Sequence, residues 1–461
     1  MANNRIIKVL ILISVMFLSL ICYLTYIEIF QKEELVSNPY NQRQWDSELG
    51  TQRGNILDSN GVILAETKDT VRVYPYKGMY AHIIGYNSRT YGRINLESTY
   101  NDELLGRNRL SDLIGTSGGE YGYDLMLTID HSIQSYAYQA LGNNNGSVVA
   151  INPKTGEIIA MVSKPDFDPN DEKLIEKWNN LVDDANSPFL ARATSGLYAP
   201  GSTFKLLTAL LAVENELGDM TFEDEGSVKI GGNTFENQKV KAYGTIGLSR
   251  GFAVSSNVVF CTLGARLGGN KLADVAERFG FNNEFDFDIQ YQVSSFPLDI
   301  TDDAKEAALA IGQGNILATP LQMAMLTCGI ANEGVIMKPY LVGSVLNIEG
   351  DVIRETKPSK LYTAADAVNT HEVVEMMVET VKTGTGTNAS IWGIDVAGKT
   401  GTAENEKTVL SNEDEHTWFV GFAPAYDPEI AVVVMMEYSG GTGGGNCAPI
   451  ARNIMQKYLN K

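Results

Sequence analysis

Histidine and cysteine are scarce in this chain of 461 residues, four of each. The histidines (His82, His131, His371, His416) form no HExxH, and the cysteines (Cys22, Cys261, Cys328, Cys447) form no CxxC or Cys/His cluster of zinc spacing. No metal and no cofactor are expected. Cys22 falls in the first apolar segment, so at most one pair could form among the other three, and a structural disulfide is not expected. Basic residues are also short, 36 against 56 acidic, for a net charge of −20. That balance argues against nucleic acid and against docking on an anionic membrane surface. A well-solvated acidic surface accounts for it. Long apolar runs are lacking too, with one exception.

The exception is residues 9–27, an uncharged run long enough to span a bilayer. Arg5 and Lys8 precede it, while Glu28, Glu33 and Glu34 follow with Lys32, which predicts a cytoplasmic N-terminus with everything after residue 30 outside. A cleaved signal peptide has a shorter core ending at a small-residue site, but this run ends TYIEIFQKEE. A single-pass, uncleaved anchor is predicted.

Residues 31–121 are polar, tyrosine-rich and interrupted by glycines. Residues 53–58 and 60–65 predict two short strands joined at Asp58-Ser59-Asn60-Gly61. NLESTYNDELLG predicts one short amphipathic helix ending at Gly106. Gly115-Thr116-Ser117-Gly118-Gly119 matches the G-x-S-x-G nucleophile elbow but lacks its preceding buried strand and following helix, so a flexible loop is expected. Around Tyr123 the texture changes. DLMLTID predicts a strand, HSIQSYAYQAL a helix, and GSVVAINPKTGEIIAMVS a hairpin, followed by an irregular stretch over 165–199. Long apolar strands and helices then continue to the end, as in one large mixed domain.

The segment PGSTFKLLTALLAV, residues 200–213, is apolar almost all round, the mark of a buried helix. Lys205 nevertheless sits in its first turn, three residues after Ser202 and on the same face. A lone buried ammonium must find partners or lose its proton. A desolvated amine beside a hydroxyl at a helix N-terminus is a workable nucleophile–base pair; a capping serine with a snorkelling lysine is the competing reading. Ser255 and Asn257, two apart, suit a loop that aims both side chains at one cavity, although turn and cap duty is the commoner use of such residues. Pro320 opens a further helix, and HEVVEMMVETVKTG predicts one capped by Gly384.

Lys-Thr-Gly occurs three times. Lys154 falls in a hairpin turn and Lys382 at a helix end, whereas Lys399 enters a strand behind Val396-Ala397-Gly398. Lys399, Thr400, Gly401 and Thr402 offer an ammonium, two hydroxyls and bare backbone, suited to a carboxylate and an oxyanion.

In order, Ser202-x-x-Lys205, Ser255-x-Asn257 and Lys399-Thr400-Gly401 resemble the motif set of penicillin-binding proteins and serine β-lactamases, with Ser256 where that set carries Asp. RGNILDSNGVILAE, YGRINLESTYNDELLG, LTIDHSIQ, VVAINPKTGEIIAMVSKPDFDPN, GQGNILATPLQMA, AGKTGTAE and WFVGFAP extend the likeness to a class B penicillin-binding protein of the short Gram-positive type, without PASTA repeats. The resemblance implies an α+β fold: a transpeptidase domain of antiparallel sheet flanked by helices over residues 122–461, on a smaller extended pedestal over 31–121, behind an anchor in 1–30. It implies a D,D-transpeptidase in which Ser202 attacks D-Ala-D-Ala of peptidoglycan pentapeptide stems and is acylated by β-lactam antibiotics. Lys205 is then the base. Ser255 and Asn257 relay protons and hold the substrate amide, and Lys399, Thr400 and Thr402 bind its carboxylate. Gly401, between Thr400 and Thr402, is counted with them as substrate-binding, and the N–H groups of Ser202 and Thr402 form the oxyanion hole. The pedestal implies contact with a SEDS-type glycan polymerase. A β-lactamase-type hydrolase and a non-catalytic penicillin-binding sensor or scaffold are the alternatives that motifs alone do not separate.

Overall fold

The computed structural model describes residues 2–27, 30, 45, 50–107, 121–298, 300, 302–403 and 414–461. Five strands form its central sheet, in the order Ala397–Ala403, His416–Ala423, Ile430–Met436, Gly146–Ile151 and Ile158–Lys164. Every pairing in it is antiparallel. The middle strands read GSVVAI and IAVVVMM and are buried throughout, because helices cover both faces. Alternate residues divide between the layers. Val148, Ala150, Val432 and Val434 pack with Ile133 of helix His131–Ala140 and Ile454 of helix Ala448–Leu459. Val149, Val433 and Met435 pack with Leu207 of helix Lys205–Glu214 and Met323 of helix Pro320–Ala331.

A second sheet ties the early chain to the late chain. Its order is Val352–Glu355, Val342–Leu346, Asp124–Leu127, Ile56–Leu57, Ile63–Lys68 and Val71–Val73. The expected hairpin at Asp58 is present: the Asp58 carboxylate accepts from the amides of Asn60 and Val62, and Gly61 takes φ +83. Beside it, Glu97 is fully buried between Arg53 and Arg72, at 2.6 and 2.7 Å. Burial alone would raise the Glu97 carboxyl; the two guanidiniums outweigh it and hold the group at about 2.

Two expectations need correction. NLESTYNDELLG is two short turns, Leu96–Thr99 and Asn101–Leu104, because Tyr100 leaves helical geometry and its hydroxyl donates to Asp288. The stretch 165–199 is not irregular throughout. Asp171–Val182 is a helix whose Leu174 is buried, with Trp178 and Leu181 packed partly against Phe167 and Tyr86. The segment Gly115–Gly119 lies outside the described residues.

Ala2–Tyr26 is helical, and Ile6–Tyr26 is the one helix among the described residues long and apolar enough to cross a membrane. All four cysteines are free.

Candidate active site

Ser202 lies in a single 3-10 turn, Gly201–Thr203, that feeds directly into helix Lys205–Glu214. Gly201 makes the turn possible. It takes φ +52, its N–H donates to the Gly312 carbonyl at 3.0 Å, and a Cβ there would stand 2.8 Å from the Thr402 carbonyl oxygen. Gly401 is tight from the other side, since a Cβ there would meet the Thr203 methyl at 2.9 Å. The Ser202 turn is thus clamped between strand Ala397–Ala403 and the Gly312 loop. Ser202 itself is partly exposed, whereas Lys205 through Val213 are buried.

Ser255 sits between helices Leu248–Ala253 and Asn257–Leu267. It adopts φ +60, a left-handed conformation that costs a non-glycine residue about 1–2 kcal/mol. The strain turns both its carbonyl and its hydroxyl toward buried lysines. Lys205 Nζ donates to the Ser255 carbonyl at 2.9 Å and to Asn257 Oδ1 at 2.7 Å, and lies 3.3 Å from Ser255 Oγ. Lys399 Nζ reaches the same Ser255 Oγ at 2.9 Å and its neighbour's Thr400 carbonyl at 2.9 Å. Both lysines are 0 % exposed.

The partners in these contacts are carbonyls and hydroxyls, so nothing anionic offsets the desolvation of either ammonium. Burial lowers Lys205 from 10.5 to about 7. It also pushes Lys399 well below the usual lysine range, with the Lys205 charge adding to the effect. The Asn257 amide is oriented by its own Nδ2, which donates to the Glu236 carbonyl at 2.7 Å. Oδ1 therefore faces Lys205. A neutral Lys205 spends its two hydrogens on the Ser255 carbonyl and Asn257 Oδ1, which frees its lone pair for a serine hydroxyl. That is a base poised near neutrality.

Residues 146–456 match the model of the penicillin binding protein transpeptidase domain, and residues 53–114 that of the penicillin binding protein A dimerisation domain. The chain belongs to the penicillin-binding protein transpeptidase family. It is 34 % identical to peptidoglycan D,D-transpeptidase PbpA of Mycolicibacterium smegmatis, over 100 % of this chain and 99 % of that relative. The penicillin G acyl-enzyme complex of penicillin-binding protein A from M. tuberculosis superposes with a TM-score of 0.82 at 31 % identity, covering 89 % of this chain and 100 % of that one. The D,D-transpeptidase domain of a peptidoglycan glycosyltransferase from Eggerthella lenta gives 0.80 at 36 %, covering 89 % and 99 %.

Within this transpeptidase domain the structure gathers buried Lys205 and Lys399 with half-buried Ser255 and Asn257 into one cluster, with the Ser202 turn packed on the Lys399 strand. Thr400 takes no part in the lysine contacts, and its hydroxyl bonds the Thr385 hydroxyl at 2.6 Å. Thr402 is partly exposed at the strand's end, beside Gly201. Lys154 and Lys382 form solvent-facing ion pairs with Asp427 and Asp395. Sequence reasoning passed over Thr385, Asp224 and Asn237, which look like ordinary turn residues. It also passed over the glycines at 440–445, although five glycines within Gly440–Asn446 were a readable signal. A Cβ at Gly443 would come within 2.5 Å of the Gly401 carbonyl oxygen, so that loop lies directly on the Lys399 strand.

Proposed function

We propose that the chain is a membrane-anchored serine D,D-transpeptidase of peptidoglycan synthesis and a covalent target of β-lactams. The observation that carries this is the convergence of two buried lysines on one hydroxyl, Ser255 Oγ, beside the turn that presents Ser202. In the acylation step Ser202 Oγ attacks the penultimate D-Ala carbonyl of a pentapeptide stem while neutral Lys205 takes the hydroxyl proton. The N–H groups of Ser202 and Thr402 receive the oxyanion. The tetrahedral intermediate collapses, the C–N bond to the terminal D-Ala breaks, and the proton held by Lys205 passes, through Ser255, to the departing amine. An acceptor amine of a neighbouring stem then attacks the ester, gives up its proton along the same path and releases Ser202, leaving a cross-link.

Lys399 meets the carboxylate of the terminal D-Ala. Thr400 and Thr385 share one hydrogen bond, so one of their two hydroxyl hydrogens stays available to that carboxylate, with Thr402 beside it. The carboxylate brings a negative charge to a lysine whose partners are otherwise a hydroxyl and a carbonyl, and thereby favours the protonated form of Lys399. Residues 31–121 serve as the pedestal and residues 122–461 as the catalytic domain. The basic flank of the N-terminal helix puts the N-terminus in the cytoplasm and the catalytic domain outside, where the pedestal meets a SEDS-type glycan polymerase.

Incubation with a fluorescent penicillin, followed for an hour, tests the chemistry. A persistent adduct is expected, and rapid turnover would identify a hydrolase instead. Reconstitution with a lipid-linked precursor and a polymerase is expected to yield cross-linked glycan, and labelling without cross-linking would indicate a sensor or scaffold.

A further inference from the structure

Asn257 and Ser255 owe their places to residues that touch neither lysine. The Asn237 carboxamide oxygen accepts the backbone N–H groups of Asn257 at 2.7 Å and Val258 at 3.2 Å. Its amide hydrogens are spent on the other side, on the Asp224 carboxylate at 2.7 and 2.9 Å and the Lys241 carbonyl at 2.9 Å. Asp224 is 1 % exposed and Asn237 4 %. Asp224 further accepts from the Gly226 amide at 2.9 Å and from the Ser256 hydroxyl at 2.6 Å. Ser256 in turn caps helix Asn257–Leu267 by accepting from the Val259 amide. An acceptor-only carboxylate thus fixes which way Asn237 faces, and Asn237 presents oxygen, not nitrogen, to the backbone of the Ser255–Asn257 loop.

We propose that Asp224 and Asn237 are positioning residues for acylation, a two-residue clamp that holds strained Ser255 and the Asn257 amide at Lys205. The proposal rests on the function proposed above and adds the source of its geometry. Glu236 completes the arrangement, because its carbonyl takes the Asn257 side-chain amide. Residues 236 and 237 therefore grip Asn257 by main chain and side chain together. If the clamp slips, Lys205 loses both fixed acceptors, and the hydroxyl that it shares with Lys399 moves.

Asn237→Asp sets two buried carboxylates against each other with no cation between them, so the loop is released. In Asn237→Asp combined with Asp224→Asn the donor and acceptor trade places. Asn at 224 can donate to Asp at 237, which still accepts from Asn257 and Val258, although the Lys241 carbonyl loses its donor. Full-length protein in detergent is labelled with a fluorescent penicillin, and the labelled fraction at completion is read separately from the rate constant. For the single variant we expect a labelled fraction close to wild type and a rate constant lower by about 10²-fold, the scale set by a misplaced catalytic group. The double variant is expected to be faster than the single one, recovering part of the rate. A purely structural role would instead lower the labelled fraction and leave the rate constant of the folded molecules unchanged. That result, or a double variant no faster than the single one, overturns the clamp. Failure of the wild-type protein to label refutes the proposed function itself, so the two failures are distinct.

Discussion

Burying Lys205 has a thermodynamic cost whose size and pH dependence follow from the structure. In the unfolded chain this lysine holds its proton to 10.5, in the fold only to about 7. Between those values the unfolded chain binds more protons, so stability rises with pH through that window. At roughly 1.4 kcal/mol per unit, the cost is about 4 kcal/mol at pH 7 and about 2 kcal/mol at pH 9. Lys205→Met keeps an unbranched apolar stem and removes the titration. It strands the Ser255 carbonyl and Asn257 Oδ1, at about 1–3 kcal/mol each, but that loss does not depend on pH. Wild type should therefore gain about 2 kcal/mol on the variant between pH 7 and pH 9. Chemical denaturation of both proteins in detergent, followed through the fully buried Trp418, measures the difference. Parallel stability curves would refute the claim that Lys205 is driven toward neutrality by burial.

Lys399→Ala should slow acylation by orders of magnitude, whereas Lys154→Ala and Lys382→Ala, which remove only exposed ion pairs, should change stability by no more than about 0.5 kcal/mol and leave labelling intact; labelling rates of the three variants check this. Lys205→Arg should be nearly inactive, since a guanidinium stays protonated near neutral pH and cannot serve as a base, and near-normal labelling would return Lys205 to a structural role. Glu97→Gln strips the counterion from two buried guanidiniums and should cost about 3–5 kcal/mol. That contribution is present above pH 4.5 and lost only as pH falls toward 2, so the variant and wild type should converge in melting temperature at strongly acid pH.

The sheet and its main helices were legible because their apolar runs are long and their ends are marked, as at Pro320 and in the Pro153–Gly156 turn. The apolar surroundings of Lys205 allowed either a buried amine or a snorkelling one, and the structure buries it. The meeting of Lys205 and Lys399 at one hydroxyl was not legible, because those residues are 194 positions apart and only the tertiary fold joins them. No residue pattern forecast the positive φ of Ser255, which lacks the glycine that usually marks it. Asp224 and Asn237 sit among polar hairpins, where composition says turn and nothing more. Helix Asp171–Val182 was missed because its single fully buried residue, Leu174, is outweighed by charge around it. Tyr100 breaks its helix for a bond to Asp288, a partner that local propensity does not contain.

The nucleophile is the point on which the account stands or falls. Full-length protein is incubated with penicillin G, digested, and the acylated peptide sequenced by mass spectrometry. The adduct should map to Ser202 and vanish in Ser202→Ala, whose melting temperature should stay close to wild type. An adduct on any other serine, Ser117 above all, or labelling that survives in Ser202→Ala, would contradict the assignment and the mechanism built on it.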